Sequence, residues 1–374
     1  MRYSEGFRLP GAADALVREI HRRVEQLTQA GWGRVQIMEV CGTHTMSVGR
    51  YGLRRRWPSN LRLVSGPGCP VCVTDPGYLD TALELGRRGA TLTTFGDLLH
   101  VPASDGQTLA RFRSAGGDVR VCYSPLDALA HARREPDRPV VFLAIGFETT
   151  IAPVLRALEL AREGGVKNFT ALTAFKRVVP AMDAVLQTPE MKLHGFLCPP
   201  HVSTVIGADA YRGIVERYGT PCVVAGFEPL DILWGVSTLL ELIQGRSARV
   251  VNCYARVVRA AGNPRAQRLI EEWLEPCAAV WRGFGELPDS AFRLRSEHAE
   301  FDAETQFGIQ VQPGRVSRGC RCGEVVAGRL DPPECPLFGR SCTPAQPIGP
   351  CMVSAEGSCA AWYKYERMGA ASRV

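Results

Sequence analysis

The sequence predicts an α/β protein: two similar open α/β domains with largely parallel sheets, followed by a cysteine-rich C-terminal region. Three observations carry this reading. Short apolar runs alternate with amphipathic stretches between residues 35 and 254. The later part of that span repeats the plan of the earlier part. From Pro264 the alternation stops, and six of the 14 cysteines gather in a tail rich in Pro and Gly. The expected segments are an N-terminal helix within 1–30, α/β domains at 31–135 and 136–258, and the C-terminal region at 259–374.

Residues 12–30 place Leu16, Val17, Ile20, Val24 and Leu27 at helical spacing. The apolar run Val35–Val40 reads as a buried strand and delivers Cys41-Gly42-Thr43-His44-Thr45, with a glycine-weakened helix beyond. A second strand, 61–65, ends in Gly66-Pro67-Gly68-Cys69-Pro70-Val71-Cys72, and a helix over 77–88 follows. Strands are expected at 90–95 and 118–123, then a helix over 125–134. Strand 140–145 runs into Gly146-Phe147-Glu148-Thr149-Thr150 and a helix to Arg162, matching the Cys41 loop and its helix. Strand 169–175 and a helix after Pro180 come next. Strand 194–197 leads to Cys198-Pro199-Pro200-His201, an echo of Cys69-Pro70-Val71-Cys72. A helix near 208–218 and strands at 221–225 and 249–254 complete the second copy. Cys69 and Cys198 lie 129 residues apart, and Cys122 and Cys253 lie 131 apart, so two matches share nearly one offset. One helix, 265–282, is expected before an irregular tail.

The chain has 374 residues with 22% charged and 45% hydrophobic, the profile of a globular protein with a sizeable core. Its net charge of +6 is small for the length, and the arginines are scattered rather than striped with aromatics. Nucleic-acid binding is not indicated. No apolar run approaches the ~20 residues of a membrane span, and residues 1–10 have no signal-peptide core. The expected compartment is the cytoplasm. There, cysteines serve metal binding or redox chemistry more readily than structural disulfides.

Cys41 is expected at a strand's carboxyl end with a helix opening beyond it, where open α/β sheets place ligands. The helix N-terminus favours negative charge and biases the thiol toward thiolate. The alternative is a buried cysteine acting as a small hydrophobe. Cys69 and Cys72, with two residues between them, suit a reversible disulfide or two ligands to one metal. The tail spacing, C-x-C-x12-C-x6-C-x8-C-x7-C from Cys320 to Cys359, lacks the paired knuckles of structural zinc sites. Separated cysteines in a proline-rich wrap fit a [4Fe–4S] cluster better and leave two thiols spare; a zinc-stapled tail is the alternative. Glu148 and Glu228 could accept hydrogen bonds from a substrate or partner, or cap their own helices. His44 and His201 lie in cysteine-bearing loops and could donate to an anionic ligand. Asp97 and Asp231 are assigned to turns, and Cys122, Cys222, Cys253 and Cys277 to the core. No nucleotide loop or nucleophile elbow is present.

Taken together, Cys41-Gly42-Thr43-His44-Thr45, Gly66-Pro67-Gly68-Cys69-Pro70-Val71-Cys72, Gly146-Phe147-Glu148-Thr149-Thr150 and Gly349-Pro350-Cys351-Met352-Val353-Ser354-Ala355-Glu356-Gly357-Ser358-Cys359 resemble the HypD family of [NiFe] hydrogenase maturation factors. The resemblance spans about residues 30–366. It implies a scaffold on which the Fe(CN)2CO unit of the hydrogenase is assembled, with that iron as bound cargo. A small HypC-type chaperone would join the chain, and a HypE-type carrier would deliver cyanide as thiocyanate. Cys41 would be the iron ligand, and loop N–H groups, Thr43 and His44 would hydrogen-bond the cyanides. Cys69 and Cys72 would supply two electrons or help hold iron, with a [4Fe–4S] cluster to recharge them. The family resembles ferredoxin–thioredoxin reductase around its cluster. That analogy implies Cys320, Cys335, Cys342 and Cys359 as cluster ligands, with Cys322 and Cys351 as a redox pair. The competing reading is an iron–sulfur thiol/disulfide oxidoreductase acting on proteins, which needs the CxxC and the cluster but not Cys41.

Overall fold

The computed structural model describes residue 6 and residues 9–189 and 191–366. The remaining residues of the expected 1–30 and 259–374 segments lie outside the described ones.

The chain opens with α1 (Pro10–Gln29), β1 (Val35–Glu39), α2 (Gly42–Arg50), β2 (Leu61–Ser65), the one-turn α3 (Pro70–Val73) and α4 (Gly77–Arg87). Next come β3 (Thr91–Thr94), α5 (Leu109–Ser114), β4 (Val119–Val121), α6 (Pro125–Arg134), β5 (Val140–Gly146), α7 (Glu148–Glu163) and β6 (Phe169–Lys176). Then follow α8 (Val178–Leu186), β7 (Gly195–Cys198), α9 (Pro200–Ile206), α10 (Arg212–Tyr218), β8 (Cys222–Val224), α11 (Pro229–Gln244) and β9 (Val250–Asn252). The rest comprises α12 (Pro264–Trp273), β10 (Leu274–Trp281), β11 (Gly285–Leu294), α13 (Ala303–Phe307), α14 (Cys322–Val326), α15 (Pro350–Val353) and α16 (Ser358–Ala361). The expected α/β class holds.

The strands form two sheets. The first has order β2-β1-β7-β8-β9 and is parallel throughout. The second has order β10-β11-β6-β5-β3-β4, parallel from β6 to β4 with an antiparallel hairpin at its edge. Each sheet therefore draws strands from both halves of the chain. The expected division at 135/136 falls inside the second sheet, between β4 and β5. The chain leaves the first sheet after β2, builds β3 to β6, and returns for β7 to β9. The two sheets share one strand order: β2-β1-β7-β8 and β4-β3-β5-β6 each run second, first, third, fourth in chain order. In that order β1 answers to β3 and β7 to β5, so the Cys41 and Gly146 loops follow different strands of the shared plan. It also breaks the match of Cys69 with Cys198, since Cys69 follows edge strand β2 and Cys198 ends central β7. Local periodicity marks strands but not their partners.

The expected helix 265–282 ends at Trp273, and the hairpin β10–β11 replaces its second half. Pro276 lacks the N–H that a continuing helix needs. The hairpin's tip reaches back over α3: Thr74 bridges Trp281, and the Arg282 N–H donates to Val73 O at 2.8 Å.

Three cores hold these layers. One packs α1 and α11 on the outer face of the first sheet, with Ile20, Ile37, Val236 and Leu240 fully enclosed. Another packs α6, α7 and α12 on the outer face of the second, around Phe142, Leu155, Phe175 and Trp273. The largest runs between the sheets from Met38 and Val64 through Val71, Tyr78 and Phe196 to the tail at Val325 and Met352. The cysteine-rich tail thus shares its core with both sheets.

Candidate functional site

In the first sheet β1 lies between β2 and β7, so the chain direction across the sheet reverses at β1. Ligand crevices of open α/β sheets form at such points, beyond the strands' carboxyl ends. The loops found there are the Cys41 loop after β1, Cys69–Cys72 after β2 and Cys198–His201 after β7. Helix α3 also packs against β5, bringing the second sheet's central strand to the same place.

Cys41 is the N-cap of α2, in extended conformation. Its backbone N–H donates to Glu39 Oε2 at 3.1 Å, and Thr45 Oγ1 donates to Glu39 Oε1. The loops after β1 and β2 touch. The Gly42 N–H donates to Gly68 O at 3.3 Å, and a Cβ on Gly68 would lie 2.3 Å from Cys41 N. Only glycine fits at 68. The helix N-terminus was expected to favour thiolate, but burial outweighs it. The Cys41 thiol is pushed up to about 12, mainly by burial and then by the Glu356 carboxylate, against N–H groups of Thr43 and His44 that pull it down.

His44 is fully buried, with Nε2 at 3.1 Å from the carbonyls of both Ala225 and Gly226. Burial lowers its pKa to about 4, so the ring is neutral with its proton on Nε2. The remaining Nδ1 is a buried lone pair that meets no partner among the described residues, an acceptor rather than the donor expected. Thr43 donates to Glu356 Oε1 at 2.8 Å, tying the loop to the tail. His201 is exposed and lies against Phe227 at 4.4 Å between ring centroids, with His44 on the same ring at 5.1 Å.

Two residues that the sequence reading passed over organise this loop. Glu39, an acid closing an apolar strand, holds the Cys41 amide. Glu356 covers the site from the tail: a Cβ on Gly42 would meet Glu356 O at 2.3 Å. Gly42→Ala is expected to lift the tail loop, break the Thr43–Glu356 bond and cost about 1–3 kcal/mol. Thermal unfolding and protease sensitivity of residues 354–366 measure this.

Cys69 and Cys72 form a disulfide across α3, with Cα atoms 5.3 Å apart. In that state they hold no metal. Arg282, only 6% exposed, donates from Nε to Cys72 O and from Nη2 to Thr74 O, both at 3.0 Å. This buried cation satisfies the carbonyls at the end of α3. Its charge also reaches Cys320 and Cys322, pulling down thiols that hydrogen bonding among the cysteines and then burial leave raised. Helices α14 and α15 pack on α3, so the CxxC turn abuts the tail cysteines.

All six tail cysteines line one small cavity with Leu337, Phe338, Gly349 and Met352. Cys322 contacts both Cys320 and Cys351, and Cys351 contacts Cys359. Cys342 Sγ accepts the Ile348 N–H at 3.4 Å, and Cys351 Sγ accepts the Cys359 N–H at 3.3 Å. A Cβ on Gly349 would lie 2.6 Å from Cys320 Sγ. Among the described residues, no three His, Cys, Asp or Glu side chains converge closely enough to hold a single metal ion. Six soft thiols around an apolar cavity, with amide N–H groups aimed at sulfur, suit a polynuclear iron–sulfur cluster instead.

Glu148, expected either to accept hydrogen bonds from a substrate or partner or to cap its own helix, accepts one from within the chain. Its Oε1 accepts the Val178 N–H at 3.0 Å, stitching α7 to the start of α8, and among the described residues the buried Oε2 meets no partner. Burial raises its pKa to about 7. The folded chain holds this proton between its ordinary value near 4.5 and about 7, where the unfolded chain has lost it. Its contribution to stability therefore falls as pH rises through that window. Glu148→Gln is expected to flatten this fall, worth roughly 3 kcal/mol at most. Denaturant unfolding at pH 5 and pH 8 measures it.

A family model described as "HypD: Hydrogenase formation hypA family" matches residues 12–366. The chain belongs to the HypD family. Hydrogenase maturation factor HypD of Azotobacter vinelandii is 45% identical over 98% of this chain and 97% of its own length. The namesake from Cupriavidus necator is 41% identical, covering 98% of each chain. That from Escherichia coli is 39% identical, covering 98% of this chain and 99% of its own. The expected HypD resemblance is thus borne out over nearly the whole chain, and it places the protein in hydrogenase maturation. Among the described residues, no helix is long and apolar enough to cross a membrane.

Proposed function

We propose that this HypD-family chain is the scaffold on which the Fe(CN)2CO unit of a [NiFe] hydrogenase is assembled, with Cys41 as its iron ligand. The observation that carries this reading is one contact: the Cys41 loop lies directly against the loop bearing the Cys69–Cys72 disulfide, through Gly68. A soft sulfur donor for iron and a two-electron couple share one crevice.

The chemistry balances. A protein-bound thiocyanate takes two electrons and one proton to give a thiol and cyanide. The Cys69–Cys72 dithiol supplies two electrons and two protons as it closes to the disulfide; one proton goes to the carrier thiolate and the other leaves to solvent. That disulfide is the product state of the step. A buried thiol near pKa 12 ligates iron only as its proton leaves, so loading is coupled to proton release. The Thr43 and His44 N–H groups lie against the Cys41 sulfur, Glu356 holds the Thr43 hydroxyl, and Glu39 fixes the loop. A HypC-type chaperone and a HypE-type thiocyanate carrier are the partners this role requires.

The tail cavity is the proposed seat of a [4Fe–4S] cluster, which supplies one-electron redox chemistry when bound. Cys322 and Cys351 are the deepest of the six, 3% and 1% exposed, touch each other, and sit on the helices that pack against α3. This supports them as the redox pair, with Cys320, Cys335, Cys342 and Cys359 as ligands. The test is infrared spectroscopy of the chain isolated with its small partner. Cyanide and carbonyl stretching bands are expected; iron-loaded complex without them overturns the scaffold reading.

A further inference from the structure

We infer that the open groove between α5 and the tail is the docking face for an acidic, one-electron carrier protein. The inference rests on the proposal that the tail holds a redox-active cluster.

The groove is large, about 870 Å³, and none of its lining residues is Asp or Glu. Its titratable lining is His100 and Arg111, with Ser114, Ser317 and Ser341 between them and the tail. Beside these serines in the chain stand Arg113, Arg318 and Arg340, all exposed. Among the described residues these arginines make no ion pair. Some other arginines are matched by acids, as Arg120 is by Asp118 and Glu135 and Arg156 by Glu159 and Glu163. The nearby acid, Asp105, turns its Oδ1 to the Gln107 N–H at 2.8 Å. An unmatched positive face of this kind attracts a negative macromolecule over a Debye length.

Its position gives the face a purpose. Ile348 lines the groove, and its N–H donates to Cys342 Sγ at 3.4 Å. The Cys320 N–H donates to Ser317 O at 3.1 Å, and Ser317 also lines the groove. One layer of backbone thus separates the groove from the cysteine cavity. The Cys69–Cys72 couple lies on the other side of that cavity, through α14 and α15. A small anion finds no enclosing, buried donor here; the arginines are exposed and spread, as in transient electron-transfer contacts, which bury less than ~1,200 Å². Each docked carrier is oxidised by one electron. Two such events and two protons open the disulfide to two thiols.

The probe is an acidic [2Fe–2S] ferredoxin titrated against the full chain, beside the Arg318→Glu/Arg340→Glu double variant. Association is expected at low salt, weakened about tenfold by raised salt and about tenfold in the variant. Under anaerobic conditions, bleaching of the chain's brown absorbance by reduced ferredoxin should slow about tenfold in the variant. Bleaching by dithionite, which needs no docking, should be unchanged, as should thermal unfolding. Ferredoxin binding that is absent in the wild-type chain, or equal in the variant, overturns the docking face. A wild-type chain that is colourless when prepared anaerobically overturns the cluster reading instead, and the titration still judges the face.

Discussion

Cys41→Ala is expected to abolish assembly of the cyanide- and carbonyl-bearing iron unit while leaving the tail's brown absorbance intact. The expected loss is complete because nothing nearby replaces the sulfur. Glu39 is committed to the Cys41 amide and Thr45, and His44 to two carbonyls. Cys69 and Cys72 are tied to each other once they have given up their electrons. Iron bearing cyanide and carbonyl asks for a soft, electron-rich donor, which serine does not supply, so Cys41→Ser should fail as well. The fold should survive either change. The Cys41 backbone keeps its bonds whichever side chain it bears. Infrared bands, iron content and visible absorbance measured on one sample separate the outcomes. Loss of infrared bands and brown colour together would show that the two sites are not independent.

The sequence made the strands, their carboxyl-end loops and the cysteine-bearing tail legible because each has a local signature. Val35–Glu39 is an apolar run, Gly66-Pro67-Gly68 is a turn, and six cysteines in a Pro-rich wrap need a staple. What escaped was set by distant contacts. Strand pairing across the two sheets depends on which faces meet, and 35–65 pairs with 195–252 across the intervening β3 to β6. The hairpin 274–294 was hidden by helix-like spacing that continues past Trp273, although Pro276 stood as the breaker. At the site, Cys41 was placed correctly but its ionisation was not. A helix N-terminus is visible in sequence, whereas burial beside Glu356 comes from a segment more than 300 residues away. His44 shows the same limit. Its role as a neutral donor to Ala225 and Gly226 depends on β8, a strand whose proximity to the Cys41 loop no local pattern announces.

Cys335→Ala and Cys342→Ala are each expected to remove the brown absorbance and loosen the tail, with Cys41 left in place. Between α14 and α15 the described chain has little regular structure, and its enclosed apolar side chains are few. Backbone ordering costs about 1–2 kcal/mol per residue, so such a segment relies on what its cysteines bind. Cys342 accepts N–H bonds from the 348–349 turn, and its loss also frees the loop that forms the groove wall. The effect should not stop at the cavity. Thr43 is anchored to Glu356, and Arg54 stacks on Trp362 at 4.8 Å and pairs with Glu366 at 3.7 Å, so the tail's far end is pinned to α2. A loosened tail therefore uncovers Cys41, whose thiol should become more acidic and more reactive as its burial is lost. The measurement is the rate of alkylation at Cys41 across pH, read by mass spectrometry in wild type and variant. Acceleration in the cluster-free variants is expected; an unchanged rate would mean that the Glu356 loop holds its position without the metal.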